Sequence, residues 1–329
     1  MIKQLLGRCA PLAAACAALL LGAVPATAVA YPERAISLVV GYPAGGSVDL
    51  TARLFAEELA ARLGQNVVVE NVGGAGGTIG AQRVVRSKPD GYTLLLGSSN
   101  EIAIARMINE AVTYDGRKDF TSLGIIGTQP MLLAASKASG VTTAEQYLQA
   151  LRSAPAGAFY YGSSGVGTTL HLAGEMISQA SGTRAEHVPY RGVAPLVTDL
   201  MGGQLTFGML VLSSGLPPVR NGNIVALGVT EAKRSAIAPE IPALAETPGF
   251  EDVDINIWFG LYGPAGLPAD VAATLRQAVG QVLESAAFRE KLAQTGGVPA
   301  EPGLDAQAFL DEQIEKYGAL VDLAGIRAR

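Results

Sequence analysis

Ile36-Ser37-Leu38-Val39-Val40-Gly41-Tyr42-Pro43-Ala44-Gly45-Gly46-Ser47-Val48-Asp49 is the stretch that decides the fold. Its first five residues are β-rich and read as a strand. The next six are Gly/Pro-punctuated and read as a loop. From Asp49 to Leu63 a helix is predicted, with Leu50, Leu54, Leu59 and Leu63 near one face and Gly64 as its stop.

The same rhythm runs outward from there. Val67 to Val69 is a strand, followed by Gly73-Gly74-Ala75-Gly76-Gly77 and a helix over Ile79 to Val85. Thr93 to Leu96 is a third strand, ending in Gly97-Ser98-Ser99-Asn100. Further strands are expected at Met131–Ala135, Phe159–Tyr161, Glu186–Tyr190, Leu205–Val211, Val225–Val229 and Trp258–Tyr262. Helices are expected at Thr143–Leu151 and Leu170–Gln179, from Pro268 with Val271, Leu275, Val279 and Val282 inward, and at Ala306–Leu320. Alternation of this kind predicts an α/β protein with mostly parallel sheets wrapped by helices. No linker interrupts it. Two domains without a linker imply that the chain crosses between them more than once.

The N-terminus carries a different signal. Lys3 and Arg8 precede an apolar stretch from about Leu12 to Val24, and Ala28-Val29-Ala30 offers a cleavage site. This is the three-part pattern of an export signal. The apolar stretch is short of the ~20 residues of a membrane span, and Cys16 lies outside the usual lipobox spacing. After cleavage near Ala30, 22 basic residues face 29 acidic ones, a balance of −7, and no cysteine remains. That charge argues against nucleic acid and anionic membrane surfaces as partners. A chain of this length folds without disulfide staples.

Chemistry is sought in the loops that follow strands. Ligands of open α/β sheets bind beyond the strands' carboxyl ends, and free amides at helix N-termini hold anions. Four loops qualify: Tyr42–Asp49, Gly73–Gly77, Ser98–Asn100 and Ser163–Thr169. Enzyme readings fare poorly. Gly162-Ser163-Ser164-Gly165 has the wrong spacing for a nucleophile elbow. His171 and His187, the two histidines, are isolated in sequence and read as structural before catalytic. No metal-ligand spacing is present, and Gly74-Ala75-Gly76 is too weak for a dinucleotide loop. No cofactor is expected.

Taken in order, Tyr31-Pro32-Glu33-Arg34-Ala35-Ile36, Gly45-Gly46-Ser47-Val48-Asp49, Gly64-Gln65-Asn66-Val67-Val68-Val69-Glu70-Asn71, Gly74-Ala75-Gly76-Gly77-Thr78-Ile79-Gly80, Pro89-Asp90-Gly91-Tyr92-Thr93-Leu94-Leu95, Tyr161-Gly162-Ser163-Ser164-Gly165-Val166-Gly167, His187-Val188-Pro189-Tyr190-Arg191-Gly192 and Trp258-Phe259-Gly260-Leu261 resemble the Bug (Bordetella uptake gene) receptors. These are the periplasmic solute-binding proteins of tripartite tricarboxylate transporters. The resemblance covers essentially the whole mature chain. It implies a two-domain periplasmic-binding-protein fold, type II-like, with two hinge crossings. Residues 31–130 and 254–329 would form one domain and 131–253 the other, after the signal at 1–30.

The resemblance also implies the function: a monomeric, non-enzymatic periplasmic receptor that captures a small carboxylate in an interdomain cleft and passes it to membrane subunits of the transporter. A ligand-occupancy sensor would use the same fold, and a secreted enzyme would need a nucleophile or metal. The implied ligand-binding residues are Tyr42, Ala44, Gly45, Gly46, Ser47, Asp49, Gly74, Ala75, Gly76, Ser98, Ser99, Asn100, Ser163, Gly165, Gly167, Thr168, Thr169, His171, Tyr190, Arg191 and Leu210. The family's usual Pro-Phe-Pro-Pro-Gly-Gly loop here reads Gly41-Tyr42-Pro43-Ala44-Gly45-Gly46, so Tyr42 adds a phenolic hydroxyl. Acids often found near positions 206 and 210 are here Thr206 and Leu210. A ligand without an amino group is therefore expected, with an apolar middle. Trp258 is expected in the core or at the hinge.

Overall fold

The computed structural model describes residues 31–328. The export signal and its cleavage site lie outside the described residues.

Among the described residues ten strands form one curled, mixed sheet: β1 (Ile36–Val40), β2 (Val67–Asn71), β3 (Thr93–Ser98), β4 (Phe120–Ser136), β5 (Tyr160–Ser163), β6 (Glu186–Pro189), β7 (Phe207–Val211), β8 (Ile224–Val229), β9 (Asn256–Pro264) and β10 (Val298–Pro299). The order is β2-β1-β3-β9-β4-β7-β5-β6, with β8 and β10 also paired to β4. Ten helices cover it: α1 (Ser47–Leu63), α2 (Thr78–Val85), α3 (Ala105–Ile108), α4 (Ala144–Ser153), α5 (Thr169–Ala180), α6 (Val193–Gly202), α7 (Leu212–Arg220), α8 (Ala269–Glu284), α9 (Ala286–Gln294) and α10 (Ala306–Leu323).

The parallel expectation holds for β2-β1-β3 and for β7-β5-β6. It fails between them, where β9 and β4 run antiparallel to their neighbours. β4 is the reason the sheet is continuous. Its 17 residues pair with β9 up to Pro130↔Asn256, and from Met131 onward with β7 and β8. Only its second part was legible as a strand. Gly124, Gly127 and Pro130 break the β pattern of the first part, and two register shifts lie there. Thr230 ties β4 to the segment before β9: its hydroxyl donates to Ile255 O at 2.6 Å and receives Met131 N–H at 3.1 Å.

β1 is buried along its length, with Ile36, Leu38, Val39 and Val40 at 0% exposure. α1 starts two residues earlier than expected and ends at Gly64 with φ 65°, the left-handed stop that glycine adopts freely. Its inward face is not the leucine row. Leu50 is 38% exposed, whereas Val48, Ala52, Phe55 and Leu59 are buried. The spacing 48, 52, 55, 59 follows the 3.6-residue turn, and 50, 54, 59, 63 drifts off it. Phe55 meets Phe288 of α9 edge-on at 6.2 Å. In α8 the expected face, Val271, Leu275, Val279 and Val282, is buried. Trp258 sits in the core beside the crossing, packed edge-on against Phe309 of α10 at 5.7 Å.

Candidate functional site

Among the helices that begin without a side-chain cap, α1 and α6 begin at the same cavity. α1 starts after Gly46, and α6 starts after Gly192, whose φ of 102° only glycine adopts without strain. The first N–H groups of a helix have no partner inside it and carry the positive end of its dipole. Gly46, Ser47 and Val48 from α1, and Gly192, Val193, Ala194 and Pro195 from α6, line one cavity of about 180 Å³. Leu170, Val211 and Ile257 make its apolar wall, Tyr42, Asn100 and Ser164 its polar one, and Arg191 stands exposed at its edge. Its lining contains no Asp or Glu. Such a space favours an anionic head on an uncharged body.

A second cavity of about 420 Å³ shares Asn100, Ser164 and Arg191 with the first. Ala75, Gly76, Gly165, Gly167, Thr168 and Tyr190 line it, again with no acid. Ala75 holds φ 48°, a left-handed conformation unusual for a residue with a Cβ. The Tyr190 hydroxyl is already committed, donating to Asp199 Oδ2 at 2.8 Å.

Asp49 explains how the loop before α1 keeps its shape. Its Oδ2 accepts from Gly45 N–H at 2.9 Å and Arg53 Nε at 3.0 Å, and its Oδ1 from Asn71 Nδ2 at 2.9 Å. Burial alone would raise this carboxyl; the hydrogen bonds from Arg53, Gly45 and Asn71 outweigh it and hold the pKa below the ordinary value. Asp49, expected to face ligand, instead braces the loop, and Gly45 is the amide it braces.

The junction between the two strand systems is direct. Asn100 Oδ1 accepts both Thr169 N–H at 2.6 Å and Thr169 Oγ1 at 2.8 Å, and Ser99 Oγ lies 2.8 Å from Thr169 Oγ1. Thr168 caps α5 through His171 N–H. The α5 N-terminus, an expected anion cradle, is therefore satisfied by protein atoms. Ser99 and Thr169 are fully buried in this junction and line neither cavity.

Behind the cavity wall sits a buried acid that the sequence reading passed over. Glu101 follows β3, in a π-helical turn over Asn100–Ile104, and is 1% exposed. Its Oε1 accepts Ser98 N–H at 2.7 Å; its Oε2 accepts Ser98 Oγ at 2.6 Å and Tyr42 OH at 2.9 Å. Desolvation pushes its carboxyl up to about 7 against the lowering effect of those hydrogen bonds. Ser98, expected at the ligand, serves this acid instead. Glu101 stands directly before Ile102-Ala103-Ile104, and an acid beside a buried apolar run was the available signal.

Four further expected residues line neither cavity. Leu210 is fully buried in the leucine-rich cluster behind β7, while its neighbour Val211 lines the cavity; one residue along a strand changes face. The His171 ring accepts Gly167 N–H on Nδ1 at 2.9 Å and stacks on His187 at 3.9 Å, so it holds the loop from within. Ser163 lies beneath the same loop, 2.7 Å from His187 Nε2 and bonded to Gly165. Gly74 also stays outside both cavities. Pro43, Val48 and Ser164 lie in the expected loops without having been singled out, and Leu170, Val193 and Ile257 were not anticipated as lining residues.

A family model described as the tripartite tricarboxylate transporter family receptor matches residues 51–326. The chain belongs to that family. BugT of Bordetella pertussis (strain Tohama I) is 30% identical over 309 residues, 93% of this chain and 94% of its own. Rpa4515 of R. palustris, solved with adipate, superposes with a TM-score of 0.85 at 31% identity, over 90% of this chain and 99% of that one. MatC (Rpa3494) of Rhodopseudomonas palustris, solved with malate, gives 0.81 at 27%, over 88% and 100%. Receptors of this family are solute-binding proteins. The α1 and α6 starts thus converge on one cavity in a chain of a solute-binding family, and among the described residues there is no cluster of three metal-ligating side chains.

Proposed function

We propose that this chain captures a small carboxylate lacking an amino group and delivers it from the periplasm to the membrane subunits of a tripartite tricarboxylate-type transporter. The convergence of the α1 and α6 N-termini on one cavity carries this reading. Backbone N–H groups at those ends grip the carboxylate by charge-assisted hydrogen bonds. The rest of the ligand lies against Leu170, Val193, Val211 and Ile257. An ammonium group would find no carboxylate in either lining. Neither adipate nor malate, bound by the two relatives, carries one.

Residues 31–130 with 254–329, and 131–253, act as two bodies in this reading. They turn about Pro130–Met131 and Asp254–Asn256, where β4 changes partner and β9 begins. Closure follows because the ligand touches both helix starts only when they are close.

The test is a thermal-shift screen of residues 31–329 against short dicarboxylates, citrate, aromatic acids and acidic amino acids. A ligand at ~100 times its Kd adds about 2.7 kcal/mol of stability. A hit with an amine-free acid, recovered unchanged, is the expected result. Tight binding of aspartate or glutamate in its place would overturn the ligand assignment.

A further inference from the structure

The Tyr42 hydroxyl has one proton and two acceptors within reach. Gly76 O lies 2.8 Å away and Glu101 Oε2 2.9 Å away. Its remaining polar neighbours do not relieve the conflict: Asn100 Nδ2 donates to it at 3.0 Å, and Ser98 Oγ donates to Glu101 Oε2. With Glu101 ionised, the charged acceptor takes the Tyr42 proton. Gly76 O then faces an oxygen at 2.8 Å with no hydrogen between them. With Glu101 protonated on Oε2, the acid donates to Tyr42 and the Tyr42 proton is released. Each short contact then has a hydrogen. The Gly-rich loop leans on this pair: a Cβ on Gly77 would lie 2.9 Å from Oε2 and 3.0 Å from the Tyr42 hydroxyl.

We propose that Glu101 is a proton-linked positioning residue: anion binding in the 180 Å³ cavity, which Tyr42 lines, draws a proton onto Glu101, and the Tyr42 hydroxyl turns from Glu101 to Gly76 O and fixes the Gly-rich loop beside the anion. This rests on reading that cavity as an anion site. The proton comes from solvent, converting one carboxylate to one carboxylic acid, and it returns to solvent on release. Two effects act in the same direction. A buried anion next to the cavity repels an anionic ligand, and an ionised Glu101 keeps the Tyr42 proton for itself.

The groups around Glu101 leave it as the titrating member. Tyr42 approaches from the loop after β1. Tyr114 donates its hydroxyl to Glu101 O at 2.7 Å from the segment after α3. Tyr262 of β9 is fully buried, and its hydroxyl has no partner among the described residues. Burial first, then the charge of Glu101, push all three phenols far above their ordinary value, so they stay neutral at any working pH. Glu101 itself is raised to about 7. A ligand anion raises it further, so affinity is full below that value and falls as pH rises through it, towards about tenfold per pH unit.

The experiment is isothermal titration of residues 31–329 with adipate, malate and benzoate as probes, from about pH 6 to about pH 8.5, in buffers of differing ionisation enthalpy. Uptake of up to one proton near neutrality and weakening at high pH are expected. Glu101→Gln presents an N–H where the acid presents an O–H, and its affinity should be flat with pH. Tyr42→Phe removes the released donor, so its affinity at low pH should fall towards the wild-type value at high pH. Zero proton uptake, or a wild-type slope retained by Glu101→Gln, overturns the proposal. If none of the three acids binds at any pH, and the wider carboxylate screen is silent too, the carboxylate reading itself has failed. The proton relay is then decided without ligand, by the Gly77 and Ser98 amide resonances. An inflection near pH 7 that Glu101→Gln abolishes supports it, and its absence overturns it.

Discussion

Asn100 Oδ1 accepts two hydrogen bonds from one residue, Thr169, through its N–H at 2.6 Å and its hydroxyl at 2.8 Å. The other end of the same amide, Nδ2, donates to Tyr42 at the cavity wall. One side chain therefore links the loop after β3 to the start of α5 and connects both to the cavity.

Asn100→Ala removes both bonds to Thr169 and leaves the Thr169 N–H buried and unpaired. Two neutral bonds contribute about 0.5–1.5 kcal/mol each. The variant should bind its carboxylate about tenfold more weakly, mainly through faster release. Stopped-flow dissociation checks this. An unchanged off-rate would mean that the junction does not hold the bound form together.

Arg191 is exposed at the edge of both cavities. An exposed charge acts through a screened field and not through a fixed hydrogen bond. Arg191→Ala should weaken binding at low ionic strength and leave affinity nearly unchanged at about 0.5 M salt, where the field has decayed within a few ångströms. A loss that is equal at low and high salt would instead indicate a direct bond to ligand.

Much of this architecture was written plainly in the chain. Ile36–Val40 announces itself because its β-rich run, polar only at Ser37, ends in a Gly/Pro-punctuated loop. α8 does so because Val271, Leu275, Val279 and Val282 keep the helical period. The α3, α6, α7 and α9 helices were not expected; Pro217 and Pro218 lie inside α7, where residue propensity opposed the structure, whereas Pro195 stands in the first turn of α6, where proline is tolerated. The cavity's location was legible from the Gly-rich loops, and Tyr42, Gly46, Ser47, Asn100 and Arg191 do line it. Which loop atoms stay free was not legible. That depends on partners distant in sequence, such as Asn71 for Asp49 and Asn100 for Thr169. Leu210 shows the same limit: all five residues of β7 are buried, so no alternation distinguished the face that meets the cavity.

Asp49→Ala tests the brace. It removes the acceptor of the Gly45 amide and leaves Asn71 and Arg53 without their shared partner. A loss of about 1–3 kcal/mol is expected in urea unfolding, with carboxylate affinity reduced as the Gly45–Gly46 backbone loosens. The carboxyl is held below its ordinary range, so its stabilisation is full above about pH 4 and fades below it. A variant as stable as wild type at neutral pH would show that the loop holds itself.

The stacked imidazoles of His171 and His187 give the sharpest pH signature. Burial lowers His171 to about 4; burial, then the neighbouring His171, lowers His187 to about 3. Both are depressed from 6.5, so the unfolded chain takes up protons that the folded chain refuses. Stability from this pair is complete above about pH 6.5. It declines as pH falls towards 4, by up to about 1.4 kcal/mol per pH unit for each ring. Glu101 and Glu231, both raised to about 7, act in the opposite sense, losing stability as pH rises from about 4.5 to 7. The raw melting curve therefore mixes both slopes, and a difference isolates the imidazoles. His187→Gln removes one titrating ring and leaves a side chain able to bond Ser163. Its stability deficit against wild type should shrink steadily as pH falls from about 6.5 to about 4.5, measured by urea unfolding at each pH. A deficit constant across that range would mean that His187 titrates normally in the folded protein, and that the stack with His171 does not exclude its proton.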